Sequence, residues 1–401
     1  MRIIVAPDSY KGSVSAVGTA NAMEKGIKAV FPDAEVIKVP IADGGEGTVE
    51  ALVTATAGQV IYQDVVGPLG DPIKSYWGIL GDGKTAVIEM ASASGLPLVP
   101  NDKKDPRITT TYGTGQLIQA ALAKGLKKII IGIGGSATND GGCGMAQALG
   151  GKFLDADGQE LPYGGAALAK LDRIDLSGLD ARLKDTVIIV ACDVDNPLCG
   201  AKGATAVYGP QKGATPKMVL ELDAALKHFA SKVSKVTGKE VAEYPGAGAA
   251  GGLGAGLLFF TNATLRPGVE IVLETTGFDS LVQSAQLVIT GEGRTDFQTA
   301  FGKAPVGVAK MAEKYNVPTL CLSGGLGQGY EDVLQHGIDG VMSTVPGPMN
   351  LEECMERGAE LIELGTKRLC RVVKVGIKME VSRTAKAQCR CRGTQRRAQK
   401  I

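Results

Sequence analysis

Aromatic side chains are scarce in this chain: Phe, Trp and Tyr make up 4% of its 401 residues, and Trp77 is the single tryptophan. Proteins that hold single-stranded nucleic acid stack bases on aromatic platforms, so no nucleic-acid partner is expected. Net charge is also small. The formal value is +1, from 43 basic and 42 acidic residues. The basic excess sits at the end, where residues 376–401 carry eight Lys/Arg against one acid, Glu380. There are eight cysteines and no CxxC pair; Cys389 and Cys391 alone stand close together. Scattered thiols in a chain this long read as reduced, not as a disulfide frame. Only two histidines are present, His228 in an amphipathic helical stretch and His336 at a helix end before Gly337. Both read as structural, so a general base must come from a carboxylate. The apolar start MRIIVAPDS is cut short by Pro7 and Asp8 and is no signal peptide. The uncharged stretch from Tyr244 to Leu265 is long enough to span a bilayer, but its glycines, Thr261 and Asn262 make it weakly hydrophobic. The expectation is a cytoplasmic protein with no membrane span.

Glycine is the residue present in excess, 56 in all, about twice the usual share. No repeat or low-complexity tract accounts for it. The glycines cluster in short loops beside charged residues, where backbone approaches a ligand. The length predicts two α/β domains. RIIVA and AEVIKVP read as short strands, with a helical period from Ser13 to Val30 and another helix from Thr48 to Ala57. Residues 59–90 turn to alternating, β-branched runs and predict an antiparallel, hairpin-like region. Strands KKIIIGIG and TVIIVAC follow, with helices near 111–124 and 215–236. The opening pattern then returns in LVIT, VPTLCLSGG and GVMSTVP with intervening helices. The economical arrangement is a flavodoxin-like parallel sheet made by both chain ends, residues 1–58 plus 281–375, with a second α/β domain, 59–280, inserted into it. Residues 376–401 read as a basic, disordered tail.

Several motifs invite a ligand. Gly78 to Thr85 matches the P-loop pattern GxxxxGK[ST] letter for letter. A P-loop needs a helix N-terminus after it, and here the alternating run KTAVIEM follows, so Lys84 reads as a hairpin-turn residue. Gly132, Gly134 and Ala137 form a dinucleotide-like GxGxxA after a strand, but GGSATNDGGCG delays any helix. A Gly/Ser/Thr nest of backbone amides around an anion fits that loop better. What remains is a set of acidic loops after strands: Asp8 with Ser9 and Lys11, Asp43 with Glu46, Asp140, Asp193 with Asp195, and Glu292 with Asp296. In open α/β sheets ligands bind at the carboxyl ends of strands. Mg2+ takes one or two carboxylates plus water and phosphate oxygens, which this set can supply. Lys11, Lys303 and Arg294 can neutralise phosphate charge. Phosphoryl transfer is the reaction class that needs little beyond these groups.

As a set, APDSYKGS (6–13), ADGGEGT (42–48), GGSATNDGG (134–142), CDVDNPL (192–198), GAGAAGGLGAG (246–256) and GEGRTDFQTAFGKAPVGVA (291–309) closely resemble the type I bacterial glycerate kinases. The likeness runs from Met1 to about Val372; the family's chain ordinarily stops there, so the basic tail departs from the pattern. The resemblance implies ATP-dependent phosphorylation of D-glycerate, usually at the 2-hydroxyl, with two α/β domains and an active site in the cleft between them. On that basis Asp193, Lys11 and Asp296 are the expected catalytic residues, with Asp193 the base. Asp43 and Asp195 are the expected Mg2+ ligands. Asp8, Ser9, Gly134, Gly135, Ser136, Asp140, Glu292, Arg294, Gln298 and Lys303 are expected to bind ATP or substrate. Phosphorylation at the 3-hydroxyl, homo-oligomerisation, an NAD-linked oxidoreductase and a non-catalytic module tethered by its tail stay open.

Overall fold

The computed structural model describes residues 1–398, with side chains to residue 383. Its strands, in chain order, are β1 (Arg2–Pro7), β2 (Glu35–Lys38), β3 (Gln59–Val66), β4 (Pro72–Ile79), β5 (Thr85–Glu89), β6 (Lys128–Gly132), β7 (Lys152–Leu154), β8 (Arg173–Asp175), β9 (Val187–Ala191), β10 (Ala263–Arg266), β11 (Leu287–Thr295), β12 (Thr319–Leu326) and β13 (Gly340–Ser343). The chain divides into two compact units, Met1–Val39 with Ser280 onward, and Pro40–Asp279.

The unit built from the chain ends holds a five-stranded sheet in the order β13-β12-β11-β1-β2. Every pairing in it is parallel. This is the 2-1-3-4-5 order of flavodoxin-like sheets. β1 and β11 are buried along nearly their whole length, which is why they read as unbroken apolar runs: helices cover both faces of a parallel sheet. The helix Ala16–Lys28 starts at Ser15, whose side chain accepts from Gly18 N–H, and buries Ala20, Met23 and Ile27. These pack with Ile3, Val5, Leu287, Ile289 and Leu322 in one core, each of the larger side chains contributing roughly 1.5–3 kcal/mol on burial.

The inserted unit holds a six-stranded sheet, β10-β9-β6-β5-β4-β3. β5, β6, β9 and β10 run parallel, and the β3–β4 hairpin and β4–β5 pair are antiparallel. The predicted switch from α/β units to hairpins is therefore real, though confined to one edge. β7 and β8 form a small separate antiparallel pair. Aromatics Phe153, Phe229 and Phe260 contact one another in the core. Among the described residues no helix is long and apolar enough to cross a membrane.

Two expectations need correction, and a third stretch takes a form the sequence did not foretell. The helix Thr48–Thr56, assigned to the chain-end domain, falls in the inserted unit. Its buried Val49 and Leu52 belong with β5 and the hairpin, because Gly78 on β4 leaves room for Val49 and Val53. The glycine-rich stretch around residue 250 is a helix, Ala249–Phe260, kinked at Ala250–Gly252. A Cβ on Gly251 would lie 1.9 Å from the Thr138 carbonyl oxygen, so glycine there serves backbone packing. Last, the expected disordered tail continues the helix Gly358–Ala398. No glycine or proline interrupts residues 377–392, and Lys, Arg, Ala, Met and Gln are good helix formers. Residues 399–401 of that tail lie outside the described residues.

Candidate active site

In the inserted unit the parallel strands end at Glu89, Gly132, Ala191 and Arg266, and the candidate residues lie on the loops they release. The loop carrying Asp43 threads among these ends. Gly44 O accepts from Gly134 N–H at 2.9 Å. Glu89 anchors the loop's far side: its buried carboxylate accepts from Gly47 N–H at 3.0 Å and Val49 N–H at 3.4 Å. Burial pushes Glu89 up to about 7, against those hydrogen bonds and with Glu46 adding to the rise. The sequence reading overlooked Glu89 because it is the last residue of a strand and not part of the loop that follows.

Asp193 follows β9, and its Oδ1 accepts from Gly268 N–H at 2.8 Å, at the start of the helix Gly268–Thr275. A Cβ on Gly268 would stand 2.5 Å from the Asp43 carbonyl carbon. Glycine alone lets this helix end approach both acidic loops. Desolvation pushes the Asp193 carboxyl up to about 6, and the negative charges of Asp43 and Glu270 push the same way, against the Gly268 bond. The residue as a whole is exposed, so solvent at its open edge screens part of this effect, and the upward direction is the firmer statement. Asp43 and Asp195 are exposed, with Asp43 Oδ1 accepting from Gly45 N–H at 3.0 Å. Among the described residues no group of three or more His, Cys, Asp or Glu could hold a metal unaided.

Asp140 does something other than expected. It is buried, and its oxygens accept from Thr111 N–H and Oγ1, Gly142 N–H and Gly144 N–H. They are consumed by protein donors, so Asp140 ties its loop to the helix Tyr112–Ala123. Beside it Gly135 is exposed at φ +75° while Ser136 is buried. The buried Lys212, which drew no notice in the sequence, reaches Ser136 from beneath.

In the chain-end unit the candidates gather on two neighbouring parallel strands, β1 and β11. Chain order reverses between these strands, which is the topological switch point where open α/β sheets bind ligands. Asp8 Oδ1 accepts from Ser9 N–H at 2.6 Å, and Lys11 is exposed. Glu292 is buried and accepts from Thr299 Oγ1 at 2.7 Å and Thr295 Oγ1 at 3.1 Å. Burial raises its pKa; the Thr299 bond and the charge of Lys303 oppose the rise. Asp296 caps the turn Phe297–Phe301, accepting from Gln298 N–H at 3.0 Å. It also lies 3.6 Å from Arg294 Nε. Arg294, Gln298 and Lys303 are exposed, and Lys303 is the cap position of the helix Ala304–Glu313. A lysine beside unsatisfied helix-end amides suits an anion. The P-loop match, by contrast, is a hairpin turn: Asp82 accepts from Lys84 and Thr85 N–H between β4 and β5.

Known proteins resemble this chain along nearly its whole length. The model of the glycerate kinase family matches residues 3–374. The chain is 56% identical to glycerate kinase of Bacillus subtilis (strain 168), covering 94% of this chain and 98% of that one. It is 51% identical to glycerate 2-kinase of Escherichia coli (strain K12), covering 94% and 99%. A crystal structure of a Salmonella typhimurium LT2 protein, assigned as glycerate kinase 2, superposes with a TM-score of 0.84 at 48% identity over 94% of this chain and 99% of its own. The chain belongs to the glycerate kinase family of enzymes.

Proposed function

We propose that this chain transfers the γ-phosphoryl group of ATP to the 2-hydroxyl of D-glycerate, with Asp193 as general base. The observation that carries the assignment is the state of the Asp193 carboxylate. One oxygen is fixed by Gly268 N–H, the other has no hydrogen-bond partner among the described residues, and the carboxyl is pushed up to about 6. A base of that strength is ionised at neutral pH yet accepts a proton readily. The free oxygen would take the hydroxyl proton as the substrate oxygen bonds to the γ-phosphorus and ADP leaves. Attack at the 2-hydroxyl is favoured by the 51% identity to a relative named glycerate 2-kinase.

The other residues supply charge and position. Lys11, Lys303 and Arg294 would neutralise phosphate oxygens, with Asp8, Ser9, Glu292, Asp296 and Gln298 orienting ATP or substrate on the same unit. In the inserted unit the Gly134–Ser136 loop would contact an anion. The crowding of negative charge on Asp193 by Asp43 and Glu270 is a surplus that a divalent cation would relieve. Exposed Asp43 and Asp195 suit Mg2+, which needs few protein carboxylates. Bound there, Mg2+ would neutralise developing phosphate charge.

The test is incubation with ATP, Mg2+ and D-glycerate, followed by phosphorus NMR of the product. A phosphorus signal split by one proton identifies the 2-phosphate. Splitting by two protons would place the phosphate on the 3-hydroxyl. In a parallel incubation with NAD+ added, NADH formation without ADP would replace the kinase assignment with an oxidoreductase.

A further inference from the structure

Lys212 is the only lysine buried among the described residues, at 2% exposure. It closes the short turn Pro210–Lys212, and its ammonium donates to Ser136 Oγ at 2.7 Å and to Thr138 O at 2.6 Å. No ion pair within 4.0 Å joins it to any described carboxylate. Asp140, whose charge it feels, spends its oxygens on other donors. Burying an ammonium without a close counter-charge is costly, and an apolar chain of equal length would fill the space without that cost. Packing therefore does not account for the lysine.

The direction of its hydrogen bond does. When protonated, Lys212 can only donate; Ser136 Oγ then accepts, and its own hydroxyl proton is left for a third group. No described protein atom takes it. The neighbouring Thr138 Oγ1 is buried with no hydrogen-bond partner at all. A buried hydroxyl with an uncommitted proton, backed by a positive charge and next to the exposed Gly135, forms an arrangement for an oxyanion. Burial pulls Lys212 down to about 7, and a bound anion would favour its protonated form.

We propose that Lys212 is a positioning residue that turns the Ser136 hydroxyl proton toward a phosphate or carboxylate group bound at the Gly134–Ser136 loop. The inference rests on the kinase assignment only for which molecule carries the oxyanion: the nucleotide or the hydroxy acid.

Wild type, Lys212→Met, Ser136→Ala, Ser136→Thr and the Lys212→Met/Ser136→Ala double variant would be titrated calorimetrically with ATP and, separately, with D-glycerate. KM and kcat would be measured for each substrate. Lys212→Met and Ser136→Ala should each weaken one of the two ligands about 10-fold or more, as loss of a charge-assisted hydrogen bond does. The other ligand should stay within about twofold, so the affected one identifies the source of the oxyanion. Ser136→Thr should restore binding, and the double variant should be no worse than Lys212→Met. Additive losses would overturn the idea. So would unchanged binding of both ligands to Ser136→Ala, which decides the matter even if Lys212→Met does not fold. A wild type that binds its ligand in this Lys212-dependent way yet makes no phosphoglycerate would overturn the kinase assignment and uphold this one.

Discussion

Replacing Asp193 with asparagine keeps the acceptor that Gly268 N–H requires and removes the charge that Asp43 and Glu270 oppose. Turnover and stability should move in opposite directions. Loss of the base should lower kcat by about 10²–10⁴-fold. For stability, the carboxyl stands at about 6 in the fold against an ordinary 3.8, a rise of roughly two units worth about 3 kcal/mol if fully buried. Asp193 has an open edge, so screening reduces this to about 1 kcal/mol. A raised carboxyl pKa favours the protonated form in the fold. Its contribution is complete below the unfolded value and is lost as pH rises through about 6. At pH 8 the asparagine variant should therefore be about 1 kcal/mol more stable than wild type, with Tm higher by about 1–2 °C. That gain should shrink steadily below pH 6, while wild-type kcat/KM falls as the base is protonated. Coupled ADP release and thermal melts across this pH range measure both. A kcat within tenfold of wild type would remove the base assignment, and a Tm gain independent of pH would show that charge repulsion is not its cause.

Lys84→Ala removes the lysine of the P-loop match. Because Lys84 is an exposed hairpin residue, KM for ATP and kcat should stay within about twofold of wild type; a large rise in KM for ATP would return that turn to the nucleotide site. Asp140→Asn swaps one carboxylate oxygen for an NH2 that faces protein donors, since Thr111 and Gly144 N–H point at one oxygen and Gly142 N–H at the other. It should destabilise the fold by about 2–4 kcal/mol. Denaturant unfolding with an unchanged midpoint would mean that Asp140 is not the staple of its loop.

The chain-end sheet was legible because its strands carry the signature of burial on both faces. RIIVA and LVIT are unbroken apolar runs joined by helical periods, and only a parallel sheet accounts for such runs at both ends of a chain. Domain assignment erred at Thr48–Thr56. A helical period reports which face is apolar, not which sheet that face will meet, and the decisive feature was the space over Gly78 for Val49 and Val53. The basic tail was misread for a related reason. It lacks an apolar stripe, and helix propensity without a packing partner leaves little trace in a hydrophobic pattern.

The site divides along a similar line. Acidic residues just beyond strand ends could be found from sequence because strand and loop are both local. Their separate jobs could not, since these depend on what reaches each carboxylate from elsewhere. Asp140 and Asp193 both follow an apolar strand and a glycine-rich or polar turn. One has its oxygens consumed by Thr111 and two glycine amides; the other keeps an oxygen free. Lys212 was missed for the converse reason: a lysine between glycines in GPQKGA looks like any solvated turn, and only its burial under Ser136 marks it. The glycines themselves serve two ends. Gly251 is there so that backbone can pack on Thr138, whereas Gly268 lets an amide and two acidic loops converge. Composition showed their number, but a glycine's purpose is written in the atoms that would clash with the side chain it lacks.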